Sequence, residues 1–118
     1  MQLLHKGGEI TATVYLDRDN VVQLKLMEAG AASATTSITA IKLIIGEALV
    51  SSTNIAADHI RWNQSGYETG EVRLQLGHEE LTAGRYHRCF LITYTATNTQ
   101  GEVWGTLQLF VLNTEEPV

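Results

Sequence analysis

Apolar and polar positions alternate along most of the chain. Ile10, Ala12, Val14 and Leu16 are interleaved with Thr11, Thr13 and Tyr15. That period of two is expected of a strand with one buried face. Val22, Leu24 and Leu26 repeat it against Val21, Gln23 and Lys25. Asp17-Arg18-Asp19-Asn20 lies between the two runs and carries turn chemistry, because Asp and Asn side chains bond nearby backbone. The two runs are therefore predicted to form a β-hairpin, with Ala29 to Ser33 as the loop after it. Residues 37–50 fit two templates. Ile38, Ile41, Ile45, Ala48 and Leu49 match helical spacing, while Ile41, Leu43 and Ile45 match a strand. The β-branched side chains and Gly46 favour the strand.

A short strand is predicted over His59 to Trp62, with turns at Asn63-Gln64-Ser65-Gly66 and Glu68-Thr69-Gly70. Val72, Leu74 and Leu76 alternate with Glu71, Arg73 and Gln75, which are expected to face water. After a corner at Leu81 to Tyr86, a long strand is predicted from about Tyr86 to Thr97. Asn98-Thr99-Gln100-Gly101 turns it into a final strand from about Glu102 to Leu112. Short strands separated by turn signals mark an all-β chain. No repeat, linker or low-complexity stretch divides it, so residues 1–118 are expected to form one domain, with 113–118 as a flexible tail.

Composition narrows the partners. The chain has 118 residues, 44% hydrophobic and 18% charged, the balance of a folded domain large enough for one core. Eight Lys and Arg face thirteen Asp and Glu, for a net charge of −5. Phosphate backbones are held by clustered cations, so neither nucleic acid nor an anionic membrane is an expected partner. The single cysteine, Cys89, has no intrachain partner, which suits a reducing compartment. The opening residues, Met1 to Gly8, lack the apolar core of a secretory signal. No apolar run approaches the length of a membrane-spanning helix.

The stretch Leu74-Gln75-Leu76, then Leu81-Thr82-Ala83-Gly84-Arg85-Tyr86, resembles the tyrosine corner of immunoglobulin-like sandwiches. There a strand ending in L-x-L leads through a corner to a tyrosine that opens the next strand. The resemblance implies that the Tyr86 hydroxyl bonds back to the corner backbone. It also implies that Gly84 allows the bend and that Leu81 plugs the core beneath it. Trp62 would take the part of the core tryptophan of strand C, without the paired cysteines of antibody domains. Ile60-Arg61-Trp62, Gly70-Glu71-Val72-Arg73-Leu74-Gln75-Leu76-Gly77 and Gly105-Thr106-Leu107-Gln108-Leu109 extend the likeness. Residues 55 to 112 resemble small immunoglobulin-like virion proteins of tailed bacteriophages, including the amino-terminal domain of baseplate upper proteins. The expected fold is thus an all-β, immunoglobulin-like antiparallel sandwich of about seven strands with a tyrosine corner.

Searching the residues for chemistry leaves little. His5, His59, His78 and His87 form no zinc spacing, and His78-Glu79-Glu80 reads as a solvated turn. No G-x-S-x-G elbow or phosphate loop is present. Thr93, Thr95 and Thr97 alternate as strand threonines do. Cys89 sits in an apolar run, the setting of a structural thiol, with Arg85 and Arg88 nearby. No catalytic residue, metal or cofactor is expected.

The final strand offers a different kind of site. Val103, Gly105, Leu107, Leu109 and Val111 suit the core. The opposite face then holds Trp104, Thr106, Gln108, Phe110 and Leu112, too apolar for a wet surface. Phe90 and Tyr94 join it across the hairpin. A bulge near Arg88 would instead hand the patch to Cys89 and Leu91. Phe90, Tyr94, Trp104, Phe110 and Leu112 are the candidate interface. The resemblance implies a non-enzymatic virion component, made in the bacterial cytoplasm, that binds capsid or tail subunits in many copies or as a homo-oligomer. It would serve as capsid decoration or as a tail or baseplate adaptor. The alternative is a carbohydrate- or receptor-binding sandwich.

Overall fold

The computed structural model describes the backbone of residues 1–46, 48–52, 59–76 and 84–113, and their side chains except those of 48–52 and 84–87. Ten strands follow one another: β1 (Gln2–His5), β2 (Glu9–Tyr15), β3 (Asn20–Glu28), β4 (Ala31–Ala32) and β5 (Ile38–Ile45). β6 (Ala48–Ser52), β7 (Ile60–Trp62), β8 (Glu71–Leu76), β9 (Gly84–Thr95) and β10 (Glu102–Leu112) complete them. One sheet runs β1-β3-β8-β7, with β4 on β3, and the other runs β2-β10-β9-β5-β6. Two sheets packed as a β-sandwich is the arrangement that alternating strands allow, because each sheet has one apolar face to bury.

The core is made of the inward positions of both sheets. Val22, Leu24 and Leu26 of β3, with Val72, Leu74 and Leu76 of β8, meet Ile41, Leu43 and Ile45 of β5 and Leu107 and Leu109 of β10. Burying each such side chain is worth about 1.5–3 kcal/mol. Trp62 fills the core, fully buried, and its indole N–H points to the Ile38 carbonyl oxygen at 3.4 Å.

Several sequence expectations change. The segments on either side of Asp17–Asn20 do not form a hairpin. β2 lies in one sheet and β3 in the other, and β2 pairs in parallel with β10 over Glu9–Tyr15 and Thr106–Leu112. Asn20 fixes this crossing. Its side-chain amide donates to the Tyr15 and Arg18 carbonyl oxygens at 2.7 and 2.9 Å, and its Oδ1 accepts the Tyr15 N–H at 3.0 Å. Alternation records which residues face inward, and both arrangements satisfy it equally. β1 also pairs in parallel, Gln2–His5 with Leu24–Met27 of β3, so the sandwich is not wholly antiparallel. Among the described residues the strands number ten rather than about seven. β1 and β4 escape a pattern search by being short, and residues 37–50 hold two strands, β5 and β6, paired as a hairpin around Gly46.

Glu71 is the other correction. It is buried rather than facing water, at 2% exposure. Its carboxylate accepts the Glu68 N–H at 3.1 Å and pairs with the Arg73 guanidinium. Burial alone pushes its pKa up, but the Glu68 N–H and Arg73 more than offset this and hold it below the ordinary glutamate value.

Candidate interaction face

Two bulges decide which side chains of β9 and β10 face outward. Val103 pairs with Ile92 and Gly105 with Leu91, so Trp104 is an extra residue in β10. An extra residue breaks the period of two. Val103 is thereby turned outward, at 49% exposure, while Trp104 turns inward, at 6%. The Trp104 indole N–H donates to the Leu4 carbonyl oxygen at 3.0 Å, and the Lys6 ammonium lies 5.3 Å from its ring. Lys6 also pairs with Glu28 and Glu102, which ties the end of β1 to both sheets. Gly105 makes room for this corner. A Cβ there would meet the Leu4 side chain at 2.7 Å and the Gly8 carbonyl oxygen at 2.9 Å.

Trp104 therefore leaves the interface expected from sequence and joins the core, and Val103 makes the reverse move. The second bulge falls where a swap of faces was considered. Leu107 pairs with Cys89 and Leu109 with Tyr86, and Arg88 between them takes a positive φ of 53°. It does not bring out Cys89 and Leu91, which are both fully buried. Burial also raises the pKa of the Cys89 thiol above its ordinary value, although the Leu109 backbone lowers it. The thiol stays protonated and is a core group.

The outer surface of the second sheet carries two groups of apolar side chains, with Thr106 and Gln108 between them. The register sets Ile44 beside Phe90 on neighbouring strands, and Ile92 between Lys42 and Val103. Phe90 is 38% exposed, and Ile44, Ile92 and Tyr94 are partly exposed. The Lys42 ammonium lies 5.0 Å from the Tyr94 ring. Further along the sheet, Leu112 pairs with Tyr15 and Phe110 with Thr13. Leu112 and Tyr15 are both exposed, and Phe110 is half-buried. Phe90, Tyr94, Phe110 and Leu112 thus share one face, as the alternation implied. Ile44, Ile92, Val103 and Tyr15 are additions. Ile92 was legible from its place between Phe90 and Tyr94. Ile44 needed the β5–β9 register, and Val103 needed the bulge.

Gly84 opens β9, and Tyr86 pairs through its backbone with Leu109. Leu81, His78 and Glu80 lie outside the described residues, as does the Tyr86 side chain, and with them the corner hydrogen bond. Among the described residues, no three His, Cys, Asp or Glu are grouped as a metal site, and no helix is long and apolar enough to cross a membrane. No family model matches the chain, and no curated protein matches its sequence.

Proposed function

We propose that this chain is a non-enzymatic structural component of a tailed-phage virion. It is made in the host cytoplasm and built into the particle in many copies, as capsid decoration or as a tail or baseplate adaptor. The observation that carries the proposal is the apolar outer face of the β2-β10-β9-β5-β6 sheet. Phe90, Val103, Leu112 and Tyr15 stand exposed there without a covering element among the described residues. Large apolar side chains exposed on one sheet face are a mark of protein–protein contact surfaces, and large aromatics are the usual anchors of such contacts. The sequence resemblance to phage immunoglobulin-like proteins supplies the class of partner, a neighbouring virion subunit.

The immunoglobulin-like reading belongs to the same proposal. Taking β3, β5, β6, β7, β8, β9 and β10 as strands B, C, C′, D, E, F and G gives one sheet with B-E-D and another with G-F-C-C′. That distribution supports an immunoglobulin-like reading, in which the same strands are split between two sheets. Trp62 then falls on D rather than on C. If the tyrosine corner is present, Tyr86→Phe lowers unfolding free energy by about 1–2 kcal/mol. A change below a few tenths in denaturant melts rejects the corner.

Mass spectrometry of purified particles from the source phage or prophage tests the function. The chain is expected among the structural proteins at stoichiometric level. Its absence from intact particles overturns the proposal.

A further inference from the structure

At one end of the sandwich, the segment joining β4 to β5 and the segment joining β7 to β8 enclose a cleft of about 450 Å³. That size falls within the range of small-molecule sites. Its lining mixes polar groups with a slightly larger apolar surface and includes Thr35, Thr36, Asn63, Gln64, Tyr67 and Glu68. Three features suggest a rigid site rather than a chance gap between loops.

The floor is cross-braced. The Thr35 hydroxyl donates to Asn63 Oδ1, and Asn63 Nδ2 donates back to the Thr35 carbonyl oxygen at 2.8 Å. Thr35 is only 4% exposed, and Asn63 holds a left-handed φ of 56°, a conformation that asparagine tolerates. Gln64 is tied by its side-chain N–H to the Trp62 carbonyl oxygen at 3.1 Å.

The wall is fixed from behind. The Arg73 guanidinium lies 4.3 Å from the Tyr67 ring centroid, and Arg73 is itself held by the buried Glu71 carboxylate. The same carboxylate accepts the Glu68 N–H, so one buried group orders both Tyr67 and Glu68. Preorganisation of this kind removes the cost of ordering a loop on binding.

The lining also selects a class of ligand. None of the described residues lining the cleft is Lys or Arg. Arg73 is committed to Glu71, and Lys25 pairs with Glu68 at 3.4 Å. The one charged side chain on the wall is Glu68, paired with Lys25, so the lining itself offers no cation to hold phosphate or an acidic ligand. Hydroxyls and carboxamides can both donate to and accept from a polyol, a carboxylate accepts from its hydroxyls, and a tyrosine ring packs on its C–H surface. We infer that this cleft binds a neutral saccharide of one or two rings. The inference does not rest on the virion reading, and it uses a surface distinct from the apolar face.

The test is an amide-resolved NMR titration of the full chain with the methyl glycosides of glucose, galactose and N-acetylglucosamine. Inorganic phosphate and glucuronate serve as separate arms. Saturable shifts confined to residues 34–36 and 63–69 are expected with at least one neutral glycoside and with neither anion. Thr36→Trp, placed at an exposed position to fill the cleft, should weaken binding about tenfold or more. Tyr67→Ala, which removes the wall, provides a second reading if that variant does not fold. Three results overturn the inference: no saturable shift with any neutral glycoside, equal or stronger binding of phosphate, or binding unchanged in the folded variants.

Discussion

The two sheets of this sandwich bury similar inner faces and present opposite outer ones. On the outer side of the first sheet, Arg61 pairs with Arg73, Arg73 with Gln23, Lys25 with Glu71 and Gln75 with Val21. The outward positions there are mostly charged or amide-bearing, although Leu3 and Val21 also stand exposed. On the second sheet the equivalent rows hold Ile44, Phe90, Ile92, Val103, Phe110 and Leu112, with Lys42, Thr106 and Gln108 among them. The first outer surface is the more polar of the two and the second the more apolar.

Moving one residue across that boundary should produce the largest effect. Trp104→Ala removes a core side chain and leaves the Leu4 carbonyl without its donor. It should cost about 3–5 kcal/mol in urea unfolding. A loss below about 1 kcal/mol would return Trp104 to the surface and undo the bulge that defines the face.

Glu71 probes the polar sheet. Glu71→Ala strands the Glu68 N–H and the Arg73 guanidinium, and should cost about 1–3 kcal/mol at neutral pH. Because the folded-state pKa of Glu71 is depressed, its contribution is fully present above the unfolded value. It is lost as pH falls through the folded value, below the ordinary 4.5. The parent should therefore lose stability across that acid range more steeply than Glu71→Gln. Parallel acid limbs in thermal melts at stepped pH would mean that the ion pair contributes nothing.

The smallest expected effects on stability lie on the two outer faces themselves. Phe90→Ser with Val103→Ser should change unfolding free energy by less than about 1 kcal/mol, and Arg61→Ser on the other sheet by about 0.5 kcal/mol or less. The two differ in association. Chemical cross-linking to neighbouring subunits should fall for the first pair and stay at the parent level for Arg61→Ser. Equal losses for both would remove the distinction between the faces.

Much of the fold could be read from alternation alone. The last strand was placed at Glu102 to Leu112 and is found there. The strand before it, expected from about Tyr86 to Thr97, runs Gly84–Thr95. The strand reading of residues 37–50 also holds, because the β-branched positions that fit both templates pack as strand pairs. What alternation cannot carry is the identity of the neighbour. Nothing near Asp17 distinguishes a hairpin from a crossing between sheets, and the partner of β2 is more than ninety residues away, on β10. The same limit explains Trp104. Its burial depends on Leu4 and Gly8 approaching Gly105, a long-range contact that turns one residue of a regular pattern inward. Four of the five interface residues chosen from sequence lie on the outer face because they follow the local period, and the fifth does not because the bulge breaks it.

Incorporation into particles is the decisive comparison. Tagged parent and the Phe90→Ser, Val103→Ser double variant, both verified as folded by their thermal midpoints, would be supplied during phage assembly and quantified in purified virions. If the apolar face attaches this chain to its neighbours, the parent enters particles and the folded variant is excluded. Incorporation of the folded variant at the parent level contradicts that role for the face.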